Sequence, residues 1–353
     1  MSEKYIAVDS GKYGTKVAVY DVEKGETKKF CFRTKISEGF FEDDAIETAT
    51  CIAEIDGKVY KIGNGAKQQA TLETSKKTET HKITTLAAIA MVVNPHEVDN
   101  VHVAIGIPVN EFAVVSKRNE YREYILPDGE IEVKLKTKNE QEPETIKFKI
   151  VTKLVCPESS GVLYLNPVKY KNSTTGVLDI GNLNLNGTYW NGFDLDSDYN
   201  ITDELGGNIL ISGLSQLLSA EFSRCDENKV ASILMKPLEE RMLVPTRKNI
   251  EVEERSKEII SDYLLQHVRE IRRRCDTKHW SLDYMDLVFI GGTTKLLKNE
   301  IIEVFGEEVT IAEEGSYANV LGFLTKLCSR CLNILIPTAK GEISKLEEAE
   351  KIA

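Results

Sequence analysis

The sequence predicts an α/β protein built from two related halves. The main observation is a short motif that occurs twice: an apolar strand, an Asp-x-Gly turn and a second apolar strand. Its copies cover residues 6–20 and 176–190, and their aspartates, Asp9 and Asp179, lie 170 positions apart in a chain of 353 residues. This length exceeds the roughly 250–300 residues at which a single core stops growing. In each half, strand-like and helix-like hydrophobic periods follow one another, as is typical of α/β proteins.

The first half begins with strand-like segments. Residues 4–9 and 15–20 predict a β-hairpin, and an Asp-Gly turn between two further apolar segments predicts a second one. The remaining predicted elements are a strand over 28–35, a helix over 80–93, a buried strand over 101–107, and strands over 130–136 and 144–154 joined by the polar stretch 137–143.

The second half repeats the hairpin after a polar linker at about 165–175. A helix is predicted after Asn208, with one apolar side made of Ile209, Leu210, Leu214, Leu217, Leu218 and Phe222. Further predictions are a helix over about 252–274, an apolar strand over 285–290 and a last helix over about 317–335.

Composition narrows the class of protein. The chain is 41% hydrophobic and 29% charged, which is typical of a soluble globular protein, and its net charge of −11 argues against direct binding to nucleic acid. Seven scattered cysteines indicate reduced thiols, and the Cys328-x-x-Cys331 pair is predicted to pack in a core. With neither a secretory signal nor an apolar membrane span in this sequence, a cytoplasmic location and no membrane partner are predicted.

The two hairpin turns carry chemistry suited to phosphate. Glycine turns expose several backbone N–H groups in one direction, and such a nest binds phosphate oxygens. Gly11, Gly14 and Gly181 allow close approach of the backbone to a ligand, and Lys16 adds a positive charge. Two hydroxyl groups beside the first turn, those of Ser10 and Thr15, can donate hydrogen bonds.

The paired acids suggest a metal. Mg²⁺ keeps several waters and binds one or two carboxylates together with phosphate oxygens, so Asp9 and Asp179 could hold a hydrated Mg²⁺. The alternative interpretation is that Asp-x-Gly is simply a good turn sequence. The recurrence of the motif at half-chain separation favours the functional interpretation.

Two further glycine motifs follow in order. Gly291-Gly292-Thr293 ends a predicted buried strand, where the backbone can pass against a base or ribose, and Gly206-Gly207-Asn208 opens a helix whose first amides can donate to ligand oxygens. The alternatives are an ordinary strand end and an ordinary helix cap.

The ordered set Asp9-x-Gly11…Lys16, Asp179-x-Gly181, Gly206-Gly207 and Gly291-Gly292 resembles the superfamily of actin, sugar kinases and DnaK-type chaperone ATPases. Within it, the strand at 103–108, the Pro157-Glu158 turn and the end motif at 313–322 resemble the bacterial actin-like proteins of the ParM type, which segregate plasmids. The resemblance covers nearly the whole chain.

The resemblance implies an actin-like fold: two ribonuclease-H-like domains with a nucleotide cleft between them. The domains would be residues 1–168 and 169–316, with a C-terminal helix, about 317–353, packing back on the first. It implies a nucleoside triphosphatase that uses ATP or GTP with Mg²⁺. It also implies a head-to-tail filament of the chain with itself and a DNA-binding adaptor protein of the ParR type.

The resemblance also assigns roles to single residues. Asp9, Glu158 and Asp179 would be catalytic. Glu158 would position water, Asp179 would orient Mg²⁺ and the attacking water, and the two aspartates would hold Mg²⁺ largely through water. The alternative interpretation of Glu158 is a surface turn residue. The nucleotide would be bound by Ser10, Gly11, Lys12, Tyr13, Gly14, Thr15, Lys16, Gly181, Asn182, Leu183, Asn184, Gly206, Gly207, Asn208, Gly291, Gly292 and Thr293.

The second turn departs from the family pattern, because Asn182, Leu183, Asn184 and Asn186 stand where relatives often carry Gly and Thr. Two other functions stay open. A small-molecule kinase of the same superfamily would need an acceptor pocket and a further catalytic aspartate, which the sequence does not show. A chaperone-type ATPase would need a long substrate-binding extension, whereas only a short tail follows the last predicted helix.

Overall fold

A computed structural model describes residues 3–41, 49–69, 75–95, 98–138, 142–247 and 249–334. The chain divides into two compact units: unit 1 contains the residues through Pro167 and those from Tyr317 onward, and unit 2 is Val168–Ser316. Part of the predicted polar stretch 137–143 and the predicted C-terminal segment beyond residue 334 lie outside the described residues.

The strands are numbered along the chain. They are β1 (Glu3–Ser10), β2 (Gly14–Asp21), β3 (Glu26–Arg33), β4 (Lys35–Glu38), β5 (Cys51–Ile55), β6 (Lys58–Ile62), β7 (Gln68–Gln69), β8 (Val98–Ile107), β9 (Glu130–Thr137), β10 (Glu144–Pro157), β11 (Thr174–Ile180), β12 (Leu185–Asn191), β13 (Asp194–Asp203), β14 (Asp286–Ile290) and β15 (Thr310–Ile311).

The α-helices are numbered in the same way. They are α1 (Glu79–Ala90), α2 (Val109–Phe112), α3 (Val115–Ile125), α4 (Gly161–Leu165), α5 (Pro167–Tyr170), α6 (Gly207–Glu221), α7 (Glu227–Leu234), α8 (Ile250–Thr277), α9 (Lys298–Phe305) and α10 (Ala318–Leu332). Short 3₁₀ turns lie between some of them, including one at Thr293–Leu297.

The sheet of unit 1 has the order β3-β2-β1-β8-β10-β9-β5-β6-β4-β7. Strands β3, β2 and β1 form an antiparallel meander, and β8 and β10 then join β1 in parallel. Successive side chains of a strand point to opposite faces of the sheet. Accordingly, Ile6 and Val8 of β1 belong to one apolar cluster, whereas Tyr5 and Ala7 belong to another. Helix α1 packs on the sheet with the first cluster, and α10 packs on β1, β8 and α4 with the second.

The sheet of unit 2 has the order β13-β12-β11-β14-β15. It repeats the arrangement found at the centre of unit 1, because β13, β12 and β11 form an antiparallel meander and β14 and β15 then add in parallel. Its apolar core includes one side each of α6 and α8. The two units thus share a strand pattern as well as a turn motif.

Most of the elements predicted from periodicity are confirmed. The two hairpins of the first half, the helix at α1, the buried strand β8 and the helices α8 and α10 all occur at the expected places, with ends moved by a few residues. In the β5–β6 hairpin, Asp56 and Gly57 have φ values of 52° and 75°, as a tight Asp-Gly turn requires.

Other elements differ from the prediction. Helices α3 and α7 and strand β13 were not predicted; in α3 only Tyr121 and Ile125 are buried, so its apolar period is weak. The predicted polar linker contains the short helix α5, whose Tyr170 is buried. In α6, Ile209 and Leu217 are exposed, because the buried side runs through leucines spaced four residues apart at Leu210, Leu214 and Leu218.

Candidate functional site

The first hairpin turn lies where β1 ends. Asp9 is buried beside Gly106 of the neighbouring parallel strand β8, and a Cβ added to Gly106 would lie 3.2 Å from Asp9 Oδ1. The Gly11 N–H donates to the carbonyl oxygen of Gly14 at 3.1 Å, which closes the turn. At the tip, Tyr13 is exposed and the Arg33 guanidinium lies 3.3 Å from the centre of its ring.

The hydroxyl groups of the first hairpin lie inside unit 1. Ser10 Oγ lies 3.0 Å from Thr84 Oγ1 of α1 and 3.3 Å from Thr15 Oγ1, and Thr15 Oγ1 lies 2.9 Å from Thr34 Oγ1. These side chains are buried, so the hydroxyls fix the hairpin to its neighbours. The backbone of the turn is the part of this hairpin suited to bind phosphate.

Asp9 and Glu158 meet at a lysine that the sequence did not indicate. Lys76 Nζ lies 3.2 Å from Asp9 Oδ1 and 2.5 Å from Glu158 Oε1. Glu158 follows β10, where its N–H donates to the Ile107 carbonyl at 2.9 Å. Lys76 stands next to Lys77 in a polar segment before α1, and local sequence offers no signal that separates these two lysines.

The charges of this cluster support one another. Burial by itself raises the pKa of Asp9, but the ammonium groups of Lys76 and Lys16 outweigh burial and hold that pKa below its ordinary value. Burial by itself lowers the pKa of Lys76, but Glu158 and Asp9 reverse the effect and raise it. His81 differs: burial, with help from Lys76, lowers its pKa to about 3, so its imidazole stays neutral at pH 7.

The turn that carries Glu158 is held tightly. Ser159 is buried and has a positive φ of 66°, a conformation that is uncommon for residues other than glycine. A Cβ on Gly161 would lie 2.3 Å from the Ala318 carbonyl oxygen, and one on Gly322 would lie 2.0 Å from the Gly161 carbonyl oxygen. Two glycines therefore let α10 lie directly against the segment that follows Glu158.

The second hairpin reproduces the first turn in unit 2. The Gly181 N–H donates to the Asn184 carbonyl at 2.9 Å, which is the bond that Gly11 makes in unit 1. Asp179 pairs across the hairpin with Asn186, as Asp9 pairs with Lys16. The sequence repeat is thus a geometric repeat, although the residue opposite the aspartate changes from lysine to asparagine.

The other predicted residues of unit 2 gather around this turn. Thr293 Oγ1 donates to the Gly181 carbonyl at 2.8 Å, and a Cβ on Gly207 would lie 2.6 Å from that hydroxyl oxygen. Gly291 lies against Asp179, because a Cβ on it would stand 2.6 Å from Asp179 Oδ1. A Cβ on Gly292 would meet nothing within 4 Å, so no neighbouring atom requires a glycine there.

The first N–H groups of α6 donate to carbonyls of the protein, whereas the sequence predicted that they would donate to ligand oxygens. The Gly207 N–H donates to the Gly181 carbonyl at 3.0 Å, and the Asn208 N–H donates to the Asn182 carbonyl at 2.6 Å. A Cβ on Gly206 would lie 2.4 Å from the carbonyl carbon of Leu183. These amides hold the second turn, since the carbonyls of a tight turn need donors of their own.

The carboxylates of the two turns fit a hydrated metal ion better than an ion bound only by protein side chains. Among the described residues no group of three or more His, Cys, Asp and Glu side chains could hold a metal ion. Mg²⁺ commonly takes one or two carboxylates and completes its shell with water and phosphate. The buried Asp9 carboxylate in unit 1 and the Asp179 carboxylate in unit 2 are groups of that kind.

Comparison with known proteins supports these observations. Residues 7–161 match the family described as actin like proteins N terminal domain. No curated protein matches the chain.

Across the helices that the structure describes, including the 28-residue α8, none has the apolar length needed to cross a membrane.

Solved structures match over almost the whole chain. The Alp12 filament structure is 22% identical, with 94% of this chain and 99% of that chain covered and a TM-score of 0.71. The archaeal actin homolog Ta0583 in complex with ADP is 18% identical, with 94% and 100% covered and a TM-score of 0.68. A 15-stranded ParM filament from Clostridium botulinum is 16% identical, with 93% and 99% covered and a TM-score of 0.65.

These likenesses define the class: the chain has the actin-like fold, as the resemblance of its sequence implied. Within it, residues 7–161 match the N-terminal domain of actin-like proteins. The resemblance inferred from the sequence is confirmed.

Proposed function

We propose that this protein is a nucleoside triphosphatase that assembles head to tail into actin-like filaments and moves plasmid DNA through an adaptor protein of the ParR type. The observation that carries the proposal is the repeated turn, in which Gly11 and Gly181 make the same hydrogen bond beside Asp9 and Asp179. Solved structures of this fold include two filaments and an ADP complex, and this supports assembly and nucleotide binding.

The proposed roles follow from the chemistry of the residues. The two turns would bind phosphate oxygens with backbone N–H groups, and Asp9 and Asp179 would hold Mg²⁺ through water. Bound Mg²⁺ would neutralise charge that develops on the phosphates during transfer. Glu158 would orient the attacking water or accept its proton, a role for which a carboxylate is suited. Thr293 and the glycines at 206, 207, 291 and 292 would line the rest of the nucleotide site.

Filament assembly and its coupling to hydrolysis are tested by light scattering and pelleting. Purified protein with Mg²⁺ receives ATP, GTP, ADP or no nucleotide, and phosphate release is followed in the same samples. We expect a rise in scattering that depends on the triphosphate and decays as phosphate is released. Comparison of ATP with GTP decides the preferred nucleotide.

An Asp179→Ala variant should assemble but decay slowly, because it loses the carboxylate proposed to orient Mg²⁺ and water. Asp194→Ala is the matched control, since Asp194 is an exposed aspartate of the same unit. A flat scattering trace with nucleotide binding intact would exclude the filament, and a screen of hydroxyl acceptors for kinase activity would follow.

The proposal that the protein reaches DNA only through an adaptor is tested by measuring its DNA binding with and without that adaptor. With a net charge of −11, the protein alone should not shift plasmid DNA in a gel at physiological salt. A basic adaptor bound to its DNA site should capture filaments and bring them to that DNA. Tight binding of DNA by the protein alone would contradict this part of the proposal.

A further inference from the structure

Lys76 connects two acids that come from distant parts of unit 1. Asp9 is the penultimate residue of β1, Glu158 follows β10, and Lys76 lies just before α1. Its ammonium group contacts Asp9 Oδ1 at 3.2 Å and Glu158 Oε1 at 2.5 Å. A single cation is therefore shared by the acid proposed to hold Mg²⁺ and the acid proposed to orient water.

The cluster is protected from solvent. The side chains of Lys76, Asp9 and Glu158 are 6%, 8% and 13% exposed. Charges interact strongly where water is excluded, and a buried carboxylate left without its cation is unfavourable. The next residue offers a contrast, because Lys77 binds Glu120 at 2.8 Å with side chains that are 42% and 61% exposed.

The Lys76 ammonium and a bound Mg²⁺ would repel each other if both lay beside the Asp9 carboxylate. A divalent cation near that carboxylate would be repelled by an ammonium group only 3.2 Å from the same oxygen. The ammonium has a second and shorter contact, that with Glu158, which it can keep when it leaves Asp9. His81 adds no positive charge of its own, because its lowered pKa keeps the imidazole neutral.

We propose that Lys76 is an internal cation that competes with Mg²⁺ for Asp9, so that binding of the Mg²⁺-nucleotide requires the Lys76 ammonium to withdraw towards Glu158. Lys76 is thus a positioning residue: it sets how much Mg²⁺ the site needs, and it keeps Glu158 in place when the metal binds. This inference rests on the proposed function, because it takes Asp9 as the acid that holds Mg²⁺.

The test measures binding, independently of hydrolysis. A fluorescent ADP is titrated into the protein at a series of Mg²⁺ concentrations, and the half-saturating Mg²⁺ concentration is determined. In Lys76→Met we expect this concentration to fall by about tenfold or more, because the positive charge that repels Mg²⁺ from Asp9 is removed. Mg²⁺ without nucleotide should also raise the thermal midpoint of Lys76→Met but leave that of the wild type almost unchanged.

Lys77→Met is the matched control, and it should behave as the wild type does. If Lys76→Met does not fold, the double variant Lys76→Met/Glu158→Gln removes one charge of each sign and should show the same lowered Mg²⁺ requirement. An unchanged or raised half-saturating concentration in either folded variant overturns the inference. Failure of the wild type to bind Mg²⁺-ADP would instead contradict the proposed function, so the two failures are distinguishable.

Discussion

Gly291 lies against Asp179 so closely that a side chain has no room between them. A Cβ on Gly291 would stand 2.6 Å from Asp179 Oδ1 and 2.3 Å from the Ile180 carbonyl oxygen, and Gly291 has a φ of +98°. Both the contact and the dihedral angle therefore require glycine at the end of β14. The backbone after β14 and Asp179 of the β11–β12 hairpin are therefore in direct contact in unit 2.

Replacement of Gly291 by alanine should destabilise the protein by about 2–4 kcal/mol, because strain at a positive φ adds to steric overlap. The measurement is the free energy of unfolding in urea. Gly292→Ala is the control: Gly292 has a helical φ of −68° and open space around its Cβ position, so the change should stay within about 0.5 kcal/mol. Equal losses in the two variants would contradict the account.

Replacement of Gly322 by alanine should loosen the contact of α10 with α4. The added Cβ would lie 2.0 Å from the Gly161 carbonyl oxygen, so the helix has to move outward, at a cost of about 2–4 kcal/mol. Thermal unfolding should show a clearly lowered midpoint. Ser329→Ala, an exposed change in the same helix, should leave the midpoint nearly unchanged, and a Gly322→Ala midpoint like that of the wild type would refute the close packing.

The start of α7 depends on one carboxylate. The Asp226 side chain accepts a hydrogen bond from the Lys229 N–H at 2.9 Å, which satisfies a free donor of the first helical turn. Asp226→Ala should therefore cost about 1 kcal/mol in the free energy of unfolding. Asp226→Asn keeps an acceptor oxygen and should cost clearly less; similar losses in both would show that the cap does not contribute.

Acid should destabilise unit 1 through His81. Its pKa in the folded protein is lowered to about 3, so unfolding allows the ring to bind a proton at pH values below its ordinary pKa. Above about pH 6.5 the ring is neutral in both states, and His81 does not lower the free energy of unfolding. As the pH falls, protonation favours the unfolded chain, and the free energy of unfolding decreases by about 2 kcal/mol between pH 7 and pH 5.

Urea unfolding at these two pH values measures the difference, and His81→Asn should reduce it by about that amount. His279→Asn is the control, because His279 is exposed and has a φ of 55° that asparagine tolerates. A pH dependence that is unaltered in His81→Asn would show that this histidine does not titrate as the structure indicates.

Local patterns predicted the elements that depend on neighbours in sequence. The Asp56-Gly57 turn and the two Asp-x-Gly hairpins were predicted because short-range steric preferences of glycine and aspartate decide such turns. Helix α3 was missed because five of its 11 residues are charged and it buries only Tyr121 and Ile125. Similarly, the apolar residues of α6 were grouped on one side, yet Ile209 and Leu217 are exposed, because the neighbouring elements decide which leucines are covered.

The sequence by itself determined the duplicated strand-turn-strand motif and the resemblance to actin-like proteins, since both depend on residue type and spacing. Only the tertiary structure decided that Lys76 lies between Asp9 and Glu158, and that the first amides of α6 hold the second turn. The physical reason is distance along the chain. A buried ion pair forms between segments that come into contact only in the folded protein, so the residues next to Lys76 do not indicate which acids it contacts.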